Sequence, residues 1–477
     1  MNKFPVYEVL QHTAATWPEQ AAVHDESGTI SFSELLKNAD HLRIQLIQAG
    51  IQPGMAVGLK AKNSRHFIAG LFAIAGTGAV ALPIYHQLKD VEIDQLIQQT
   101  GLHAWIDDNS GTQYKTDKLS VITPAFSLGF SNNLFTEPFA PFVHLPAFVR
   151  FTSGTTGVSK GVIISHQSVI DRIDAANNGL QLGPGDTVVW ILPMAYHFVV
   201  SIVLYVKYGA AIAVVKDFLA KNIIDITNKH KGTLLYSSPV QVRLLANDNS
   251  AVMMPSLKKV ISTSAGISPD ICVAFKERFG VAVSQAYGII EIGLPMLNFF
   301  QSDEHPEAVG YAVPGYEIAI LDENNQPLTD GEIGHLGIKG PGMFDAYLHP
   351  QRLREEVLVN GYFLTADYAT KSTDGLIKIE GRAKSVINIS GIKVFPEEVE
   401  AVLENYQGIK QARVSSEPHR LLGQIIVAEI IVESHVAIDI EAVIYYCRQN
   451  LSNFKAPQKI TVVTSLPLTK TGKLQRG

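Results

Sequence analysis

Short apolar runs alternate with amphipathic helical patterns along most of the chain. Apolar runs such as MAVGLKA, AVALPIY, TVVWILP and AAIAVV are typical of strands. Two segments, FSELLKNADHLRIQLIQAG and DVEIDQLIQQTG, have apolar residues at helical spacing, and they reach Gly50 and Gly101 where the helices should end. Such alternation predicts an α/β fold whose sheets are largely parallel.

The pattern changes from about Glu317, where EIAILDENNQPLTDGEIGHLGIKG has closely spaced turns and predicts a smaller β-rich unit. Further on, PEEVEAVLENY predicts a helix with Pro396 in its first turn. We therefore expect a large N-terminal domain of α/β layers, with parallel-rich sheets and a small β-rich subdomain. A compact α+β unit should follow it and continue to Gly477.

Two long apolar stretches could imitate membrane spans. The first, FIAGLFAIAGTGAVALPIY, is divided by Gly76, Gly78 and Pro83, and it predicts a buried helix followed by a buried strand. The second, VVWILPMAYHFVVSIVLYV, is interrupted by Pro193 and His197 and is interpreted in the same way. The first residues lack the apolar core of a signal peptide. These features predict a cytoplasmic protein with no membrane partner.

Composition narrows the class further. Apolar residues make up 46% of the chain and charged residues 18%, which is typical of a packed globular protein. The net charge of −6 gives no electrostatic reason to expect a nucleic-acid partner. The two cysteines, Cys272 and Cys447, are far apart and lack metal-ligand spacing, so they are expected to be packing residues in a reducing compartment.

A loop rich in small polar residues, FTSGTTGVSKGV, spans residues 151–162. Its glycines let the backbone expose N–H groups, its hydroxyls add donors, and Lys160 adds a positive charge, a combination that suits a phosphate chain. It is not a Walker A loop, because Ser159 precedes the lysine and Gly161 follows it. When the loop is considered alone, a plain polar hairpin between the strands AFVRF and GVIIS is the favoured explanation.

Further motifs give the loop a context, and together they resemble the adenylate-forming superfamily over nearly the whole chain. That superfamily comprises acyl-CoA synthetases, adenylation domains of peptide synthetases, aryl-acid ligases and luciferases. The motifs that follow the loop are, in chain order, SQAYGIIEIG with Tyr287, Gly288 and Glu291, GYFLTADYA with Asp367, IEGRAKSVINISGIKVFPEEVE with Arg382 and Lys384, and LPLTKTGKLQRG with Lys473.

The resemblance implies ATP and Mg²⁺ as cofactors and assigns a role to each charged residue. Glu291 would hold Mg²⁺, Lys160 would hold the leaving pyrophosphate, and Lys473 would bridge the carboxylate and the α-phosphate. The remaining loop residues implied in ATP binding are Thr152, Ser153, Gly154, Thr155, Thr156 and Gly157.

The nucleoside would be held by other motifs. Asp367 would accept hydrogen bonds from the ribose hydroxyls, with Arg382 supporting the nucleotide. Adenine would stack on Tyr287 beside Gly288, and the backbone of Ser264 and Ala265 would line its other face.

Each of these residues has an ordinary alternative when it is considered alone. Lys473 could be a solvated surface lysine, Glu291 could cap a turn, and Asp367 could be a loop carboxylate. Their joint order along the chain favours the catalytic interpretation.

The segment LPMAYHFVVSI is the place where the family recognises its acid substrate. Amino-acid-activating members usually have an aspartate where His197 stands, so an aryl, hydroxy-aryl or aliphatic acid is expected instead. His197 could also be a buried structural histidine. The residues implied in lining the pocket, with Tyr196 as an aromatic gate beside the carboxylate, are Tyr196, His197, Phe198, Ser201 and Ser238.

The resemblance also implies the domain boundary, with an N-terminal adenylation domain over residues 1–383 and a mobile C-terminal lid over residues 384–477, hinged near Lys384. The loop at Ser390 and Gly391 would line the tunnel for a pantetheine thiol. The expected function is AMP-forming acid–CoA ligation of a small carboxylic acid, with CoA or a carrier-protein phosphopantetheine as acceptor. Alternatives are a stand-alone adenylating enzyme that loads a carrier protein, and a nucleotide-binding homologue without catalysis. Luciferase-like oxidation is a remote alternative.

Some positions depart from the family pattern. Ser159 replaces a usual proline, Ile290 replaces a hydroxyl residue near the α-phosphate, and Ala346 and Ala366 stand where glycine is usual. These changes raise the possibility of a slow enzyme, although every charged catalytic position is filled.

Overall fold

The structure is a computed structural model, and it describes residues 4–109, 119–152, 160–264, 266–267, 269–382, 387–389, 392–394, 396–420, 423–433 and 438–466. A 3₁₀ turn lies at Arg354–Glu356. The α-helices in the described part are α1 (Pro5–Thr16), α2 (Phe32–Gln48), α3 (Arg65–Thr77), α4 (Asp90–Thr100), α5 (His166–Leu180), α6 (Met194–Lys207), α7 (Ala220–Lys229), α8 (Pro239–Ala246), α9 (Pro269–Phe279), α10 (Pro396–Glu404) and α11 (Ile440–Asn450).

The strands of the described part alternate with helices along much of the large domain, but β5 to β9 and β14 to β20 follow one another without an intervening described helix. They are β1 (Ala21–Asp25), β2 (Gly28–Ser31), β3 (Ala56–Ala61), β4 (Val80–Tyr85), β5 (Ala104–Asp107), β6 (Leu119–Thr123), β7 (Phe126–Phe130), β8 (Pro146–Thr152), β9 (Lys160–Ser165), β10 (Thr187–Trp190), β11 (Ala211–Val214), β12 (Leu234–Ser237), β13 (Lys259–Ser262), β14 (Val283–Ile289), β15 (Gly293–Leu297), β16 (Tyr311–Ala312), β17 (Glu317–Leu321), β18 (Gly334–Lys339), β19 (Ala346–Tyr347), β20 (Arg352–Leu353), β21 (Phe363–Lys371), β22 (Ile377–Arg382), β23 (Ile387–Ile389), β24 (Ile392–Val394), β25 (Ile409–His419), β26 (Gly423–Val432) and β27 (Lys459–Val462).

Two nine-stranded sheets form the large domain. The first has the order β16-β15-β14-β13-β12-β10-β11-β1-β2, and its strands run parallel from β14 through β1. The second has the order β20-β19-β9-β8-β4-β3-β5-β7-β6, with parallel pairing from β8 through β5. The sequence prediction of parallel-rich α/β layers is confirmed.

Burial explains why the strands have continuous apolar runs. Every residue of β3 and β4 is buried, as expected for strands covered on both faces of a sheet. The apolar stretch at 67–85 forms α3 and then β4, and the second stretch forms β10 and α6, as predicted. No helix in the described ranges is long and apolar enough to cross a membrane.

The predicted helix ends are also confirmed. The helix α2 begins with a capping box in which Ser31 and Glu34 bond to each other's backbone N–H. It ends at Gln48, and Gly50 follows two residues later with a φ of +102°. The helix α4 ends at Thr100 and is followed directly by Gly101, which has a φ of +66°. Both glycines occupy the left-handed region, where a side chain would be unfavourable.

The segment after residue 317 forms the predicted β-rich unit, a four-stranded antiparallel sheet of order β17-β18-β21-β22. The C-terminal elements form a hairpin of β23 and β24 and a three-stranded sheet of β25, β26 and β27. Their apolar side chains, from Ile387 to Ile460, enclose a separate buried cluster. A large α/β domain and a small α+β domain are therefore both present, as the sequence predicted.

The strands on either side of the polar loop are confirmed. β8 and β9 pair in an antiparallel hairpin in which Thr152 lies opposite Lys160 and Phe151 lies opposite Gly161. The loop between them, residues 153–159, lies outside the described residues.

Ala366 has a φ of +62°, so it occupies the left-handed region, and its side chain is exposed. This conformation costs a residue with a Cβ about 1 kcal/mol. The family-usual glycine that the sequence lacks at this position would carry no such cost.

We expect Ala366→Gly to raise the free energy of unfolding by up to about 1 kcal/mol, because strain is removed and no buried contact is lost. Ala369→Gly in the same strand is the matched control, since Ala369 is fully buried at an ordinary φ and should lose about 1 kcal/mol. Urea unfolding of both variants measures the difference. Equal destabilisation by both substitutions would contradict the strain at Ala366.

Candidate active site

The carboxyl ends of β12, β13 and β14 lie side by side, because these strands are parallel neighbours. Ser264 follows β13, and Tyr287 lies near the end of β14. The Thr263 hydroxyl donates to the Ala286 carbonyl at 3.2 Å and fixes the two strand ends together. Ligands of open α/β sheets bind at this edge. Ser264 has a φ of +76°, a conformation that non-glycine residues adopt mainly where the surroundings impose it.

Tyr287 and Asp367 are brought into contact from different sheets. The Tyr287 hydroxyl donates to Asp367 Oδ2 at 2.5 Å, and Asp367 is almost fully buried. Asp367 lies opposite Arg382 in the pairing of β21 with β22. The structure therefore brings three predicted nucleotide-binding residues together. Tyr287 and Asp367 meet through their side chains, and Arg382 pairs with Asp367 through the backbone.

Glu291 lies in the turn of residues 290–292 that joins β14 to β15. Its carboxylate accepts a hydrogen bond from the Tyr347 hydroxyl at 3.1 Å, and its carbonyl accepts one from the Phe344 N–H at 2.6 Å. Arg172 Nη1 donates to the neighbouring Ile290 carbonyl at 2.9 Å. Segments distant in sequence thus hold the turn from several sides.

Arg172 projects from α5 and is completely buried. Its Nε donates to the Gly342 carbonyl at 2.7 Å, so the side chain joins the 290–292 turn to the segment before β19. Burial lowers the pKa of Arg172 to about 10, with Glu291 among the groups that oppose the change. The guanidinium therefore keeps its charge at neutral pH and adds positive potential beside Glu291.

Lys160 and Glu291 meet at the same tyrosine. Lys160 Nζ lies 4.9 Å from the centroid of the Tyr347 ring, a cation–π distance, while the hydroxyl of that ring binds Glu291. The strand β19 brings Tyr347 opposite Val162 of β9. Burial, and next the charge of Glu291, raises the pKa of Tyr347 far above its ordinary value, so the phenol remains a donor.

These side chains suit a nucleotide-bound Mg²⁺. Mg²⁺ is commonly held by one or two protein carboxylates together with substrate phosphates. The described ranges contain no group of three or more histidine, cysteine or acidic residues that could hold a metal alone. Glu291 supplies one oriented carboxylate, and the arrangement leaves the other ligands to the phosphates.

The predicted acid pocket begins at the N-terminus of α6. The Tyr196 ring lies 5.3 Å from the Tyr85 ring, and the His197 ring lies 6.3 Å from Trp190. Ser201, one of the polar residues predicted there, is buried farther along the helix, where it interacts with the Tyr236 hydroxyl. Apolar and aromatic groups with a few polar atoms therefore surround this part of α6.

Ser238 is also buried, but its hydroxyl and its N–H both donate to Gln241 Oε1 at the start of α8. This contact gives the serine a local role at the helix terminus. A role in lining the acid pocket stays a prediction.

Arg150, a residue that the sequence analysis did not select, lies close to Tyr196 and Glu291. Its Nη1 donates to the Tyr196 carbonyl, and its Cζ lies 5.3 Å from the Tyr196 ring centroid. The signal in the sequence is an arginine in the apolar strand AFVRF. For Tyr347 the only signal was its place in AYL, and for Arg172 there was none.

Several predicted residues lie outside the described part of the chain, and their roles stay predictions. For three more, Thr152, Phe198 and Arg382, only the backbone is described. The residues outside are Ser153, Gly154, Thr155, Thr156, Gly157, Ala265, Lys384, Ser390, Gly391 and Lys473.

Known proteins resemble this chain in sequence and in fold. Over 97% of its length the chain is 24% identical to the sulfoacetate–CoA ligase of Cupriavidus necator, of which it covers 95%. It is also 24% identical to a long-chain-fatty-acid–CoA ligase of Salmonella typhimurium, covering 98% of this chain and 93% of that one.

The fold matches a solved structure of the amide bond synthetase McbA from Marinactinospora thermotolerans, with a TM-score of 0.84 and 22% identity over 98% of this chain and 97% of that chain. Residues 10–348 match the family model of AMP-binding enzymes, and residues 398–473 match the model of the AMP-binding enzyme C-terminal domain. The chain belongs to the AMP-binding enzyme family.

Proposed function

We propose that the protein is an ATP-dependent acid–thiol ligase that converts a non-amino carboxylic acid into an acyl-adenylate and then into a thioester. The observation that carries the proposal is the convergence of Lys160 and Glu291 on Tyr347, next to the Tyr287–Asp367 pair. A cation, an oriented carboxylate and a nucleoside-binding pair, which strands of three different sheets supply, are the groups that adenylation requires.

The chemistry explains the demand for positive charge. A carboxylate is a poor acyl donor because its leaving group would be oxide. Attack of a carboxylate oxygen on the α-phosphorus of ATP forms a C–O–P link and breaks the bond to pyrophosphate, after which AMP can leave. Since both reactants are anions, cations must hold them together in the transition state.

Different residues of this chain bind the different reacting groups of the adenylation step. Lys160, with Thr155 and Thr156, holds the outgoing pyrophosphate, and Glu291 orients the metal ion. Mg²⁺, when bound, neutralises phosphate oxygens during the in-line attack. Lys473 bridges the carboxylate and the α-phosphate.

The nucleoside is held at the opposite end of the site. Asp367 accepts the ribose hydroxyls, and the ring of Tyr287 offers a face for adenine. The hydroxyl of Tyr287 donates to Asp367, which orients the carboxylate and the ring relative to each other before the nucleotide binds.

The acceptor is a thiol, either CoA or the phosphopantetheine of a carrier protein. The two relatives named as CoA ligases favour CoA. A stand-alone adenylating enzyme that loads a carrier protein is the second candidate, because both acceptors present the same pantetheine arm.

The small domain acts as a lid over residues 384–477, hinged near Lys384, with Ser390 and Gly391 in the thiol tunnel. In the structure, Lys455 forms a buried ion pair with Glu92 at 3.1 Å, and the Ser452 hydroxyl donates to Glu92 at 2.7 Å. Phe454 contacts Tyr85, the ring that also contacts Tyr196. The lid thus touches the large domain beside the proposed acid pocket.

Pyrophosphate exchange with a panel of acids tests the function. We expect exchange with aryl or aliphatic acids and weak exchange with the twenty amino acids, because no acidic side chain replaces His197 to pair with an α-ammonium group. Thioester formation with CoA and with a phosphopantetheinylated carrier then identifies the acceptor. A strong, selective signal from an α-amino acid would refute the proposed substrate class, and no exchange with any acid would refute the activity.

The lid account predicts that the two half-reactions can be separated. Lys473→Ala should slow adenylation by about a hundredfold to a thousandfold, since it removes a donor to the transition-state charge. Thioester formation from chemically prepared acyl-adenylate should change little. Lys384→Pro should have the reverse effect, because a locked φ at the hinge hinders rotation. Single-turnover assays measure each step, and equal slowing of both steps by Lys473→Ala would contradict a swinging lid.

Tyr347→Phe isolates the hydroxyl that orients Glu291 while keeping the ring beside Lys160. Hydrogen bonds to charged groups contribute about 1.5–3 kcal/mol, so the Mg²⁺ concentration for half-maximal exchange should rise about tenfold or more, with little change at saturating Mg²⁺. Tyr311→Phe is the matched control, because Tyr311 donates to Asp374 at 2.9 Å on the surface. An unchanged Mg²⁺ dependence in Tyr347→Phe would show that the hydroxyl does not position Glu291.

A further inference from the structure

Arg150 occupies an unusual position for a charged residue. It lies in β8, between β9 and β4 in the second large sheet, and its neighbours Phe148 and Val149 are completely buried. Arg150 itself is only partly buried, so part of its side chain is accessible to solvent. Charged side chains in such strands are costly unless they are paired or functional.

The contacts of Arg150 in the described part of the chain leave most of its donors unused. Nη1 donates to the Tyr196 carbonyl, and the guanidinium faces the Tyr196 ring. Among the described residues no carboxylate lies within ion-pair distance of Arg150, although Glu291 is close enough to influence its charge. A guanidinium offers five N–H donors in a planar fork.

A purely structural role explains these contacts incompletely. Only one hydrogen bond, to the Tyr196 carbonyl, is needed to fix the first turn of α6, and a neutral donor could form it. Burial lowers the pKa of Arg150 to about 10, so the group is still charged at neutral pH and carries a desolvation cost. An anion that enters with the substrate would offset that cost.

We infer that Arg150 binds the carboxylate of the acid substrate and orients it for attack on ATP. This inference rests on the proposed function and deepens it. The acid is the favoured anion because Arg150 contacts Tyr196 at the predicted acid pocket, whereas Lys160 lies on the Tyr347 side of the site with the phosphate loop. The planar fork matches a carboxylate through two parallel hydrogen bonds, so Arg150 selects acids over neutral amides and esters.

Steady-state pyrophosphate exchange of Arg150→Met and Arg150→Lys tests the assignment, with whichever of benzoate, 4-hydroxybenzoate and hexanoate reacts fastest. Removing one member of a buried charge pair should raise the KM for the acid about thirtyfold or more in Arg150→Met. Arg150→Lys should recover part of the loss, because it restores the charge but not the fork. The KM for ATP should change less than threefold; a rise in the KM for ATP alone would assign the guanidinium to the α-phosphate and overturn the inference.

A second measurement separates carboxylate binding from support of α6. The acyl-adenylate has no free carboxylate, so its dissociation constant and its conversion to thioester should be nearly unchanged in Arg150→Met. If Arg150 only supports the position of Tyr196, Arg150→Met would weaken binding of the acyl-adenylate and slow its conversion to thioester as well as raise the KM for the acid. That result would overturn the inference. The carboxamide of the chosen acid, tested as an inhibitor, should bind the wild type and Arg150→Met equally.

Arg65→Met is the matched control for losing a partly buried arginine, because Arg65 pairs with Asp25 away from the site. It should lower the melting temperature without changing the KM for the acid. Exchange by the wild type together with an unchanged acid KM in Arg150→Met would overturn this inference alone. Absence of exchange by the wild type with every acid would overturn the proposed function, and this inference with it.

Discussion

The hydrogen bond from Tyr347 to Glu291 joins the two nine-stranded sheets at the point where the candidate site lies. Glu291 belongs to the turn after β14 in the first sheet, and Tyr347 belongs to β19 in the second. Because β19 pairs with β9, the strand that Lys160 begins, the position of one carboxylate is coupled to the position of one cation. The sheets could not shift against each other without separating Glu291 from Lys160, the two groups that we propose to meet ATP.

The helix α5 makes this junction rigid. It contacts β8, β9 and β15, so it touches strands of both sheets. Its Arg172 binds the carbonyls of Ile290 and Gly342, which are the backbone on the two sides of the Tyr347–Glu291 contact. A buried guanidinium is costly, but here it satisfies carbonyls that the turn itself leaves without a strand partner. Its charge also raises the potential beside Glu291, where the proposed mechanism brings two anions together.

The sequence predicted the local elements well because each depends on nearby residues. Periodicity located β3, β4, α2 and α4, and left-handed glycines ended the helices as expected. The sequence predicted that Tyr287 and Asp367 lie in one site only through the order of the motifs along the chain. Arg172 and Tyr347 escaped prediction because their partners lie 118 and 56 positions away, and such distances are set by tertiary packing. Ser238 shows a different limit of the sequence. Its hydroxyl was predicted to line a pocket, but in the structure it donates to Gln241 Oε1 in the first turn of α8.

The departure at Ile290 can be understood from the same geometry. The family usually has a hydroxyl at this position, and in the proposed mechanism its loss removes one donor to the α-phosphate. The backbone of Ile290 remains fixed, because Arg172 binds its carbonyl and the Glu291 carbonyl accepts from Phe344. The turn therefore keeps its shape without the hydroxyl, and only the donor must be replaced. Arg150 does not replace that donor, because its guanidinium lies against Tyr196, on the side of the site where the acid is proposed to bind. In the proposed mechanism the backbone N–H of the fixed turn serves the α-phosphate instead, and the guanidinium stays available for the carboxylate of the acid.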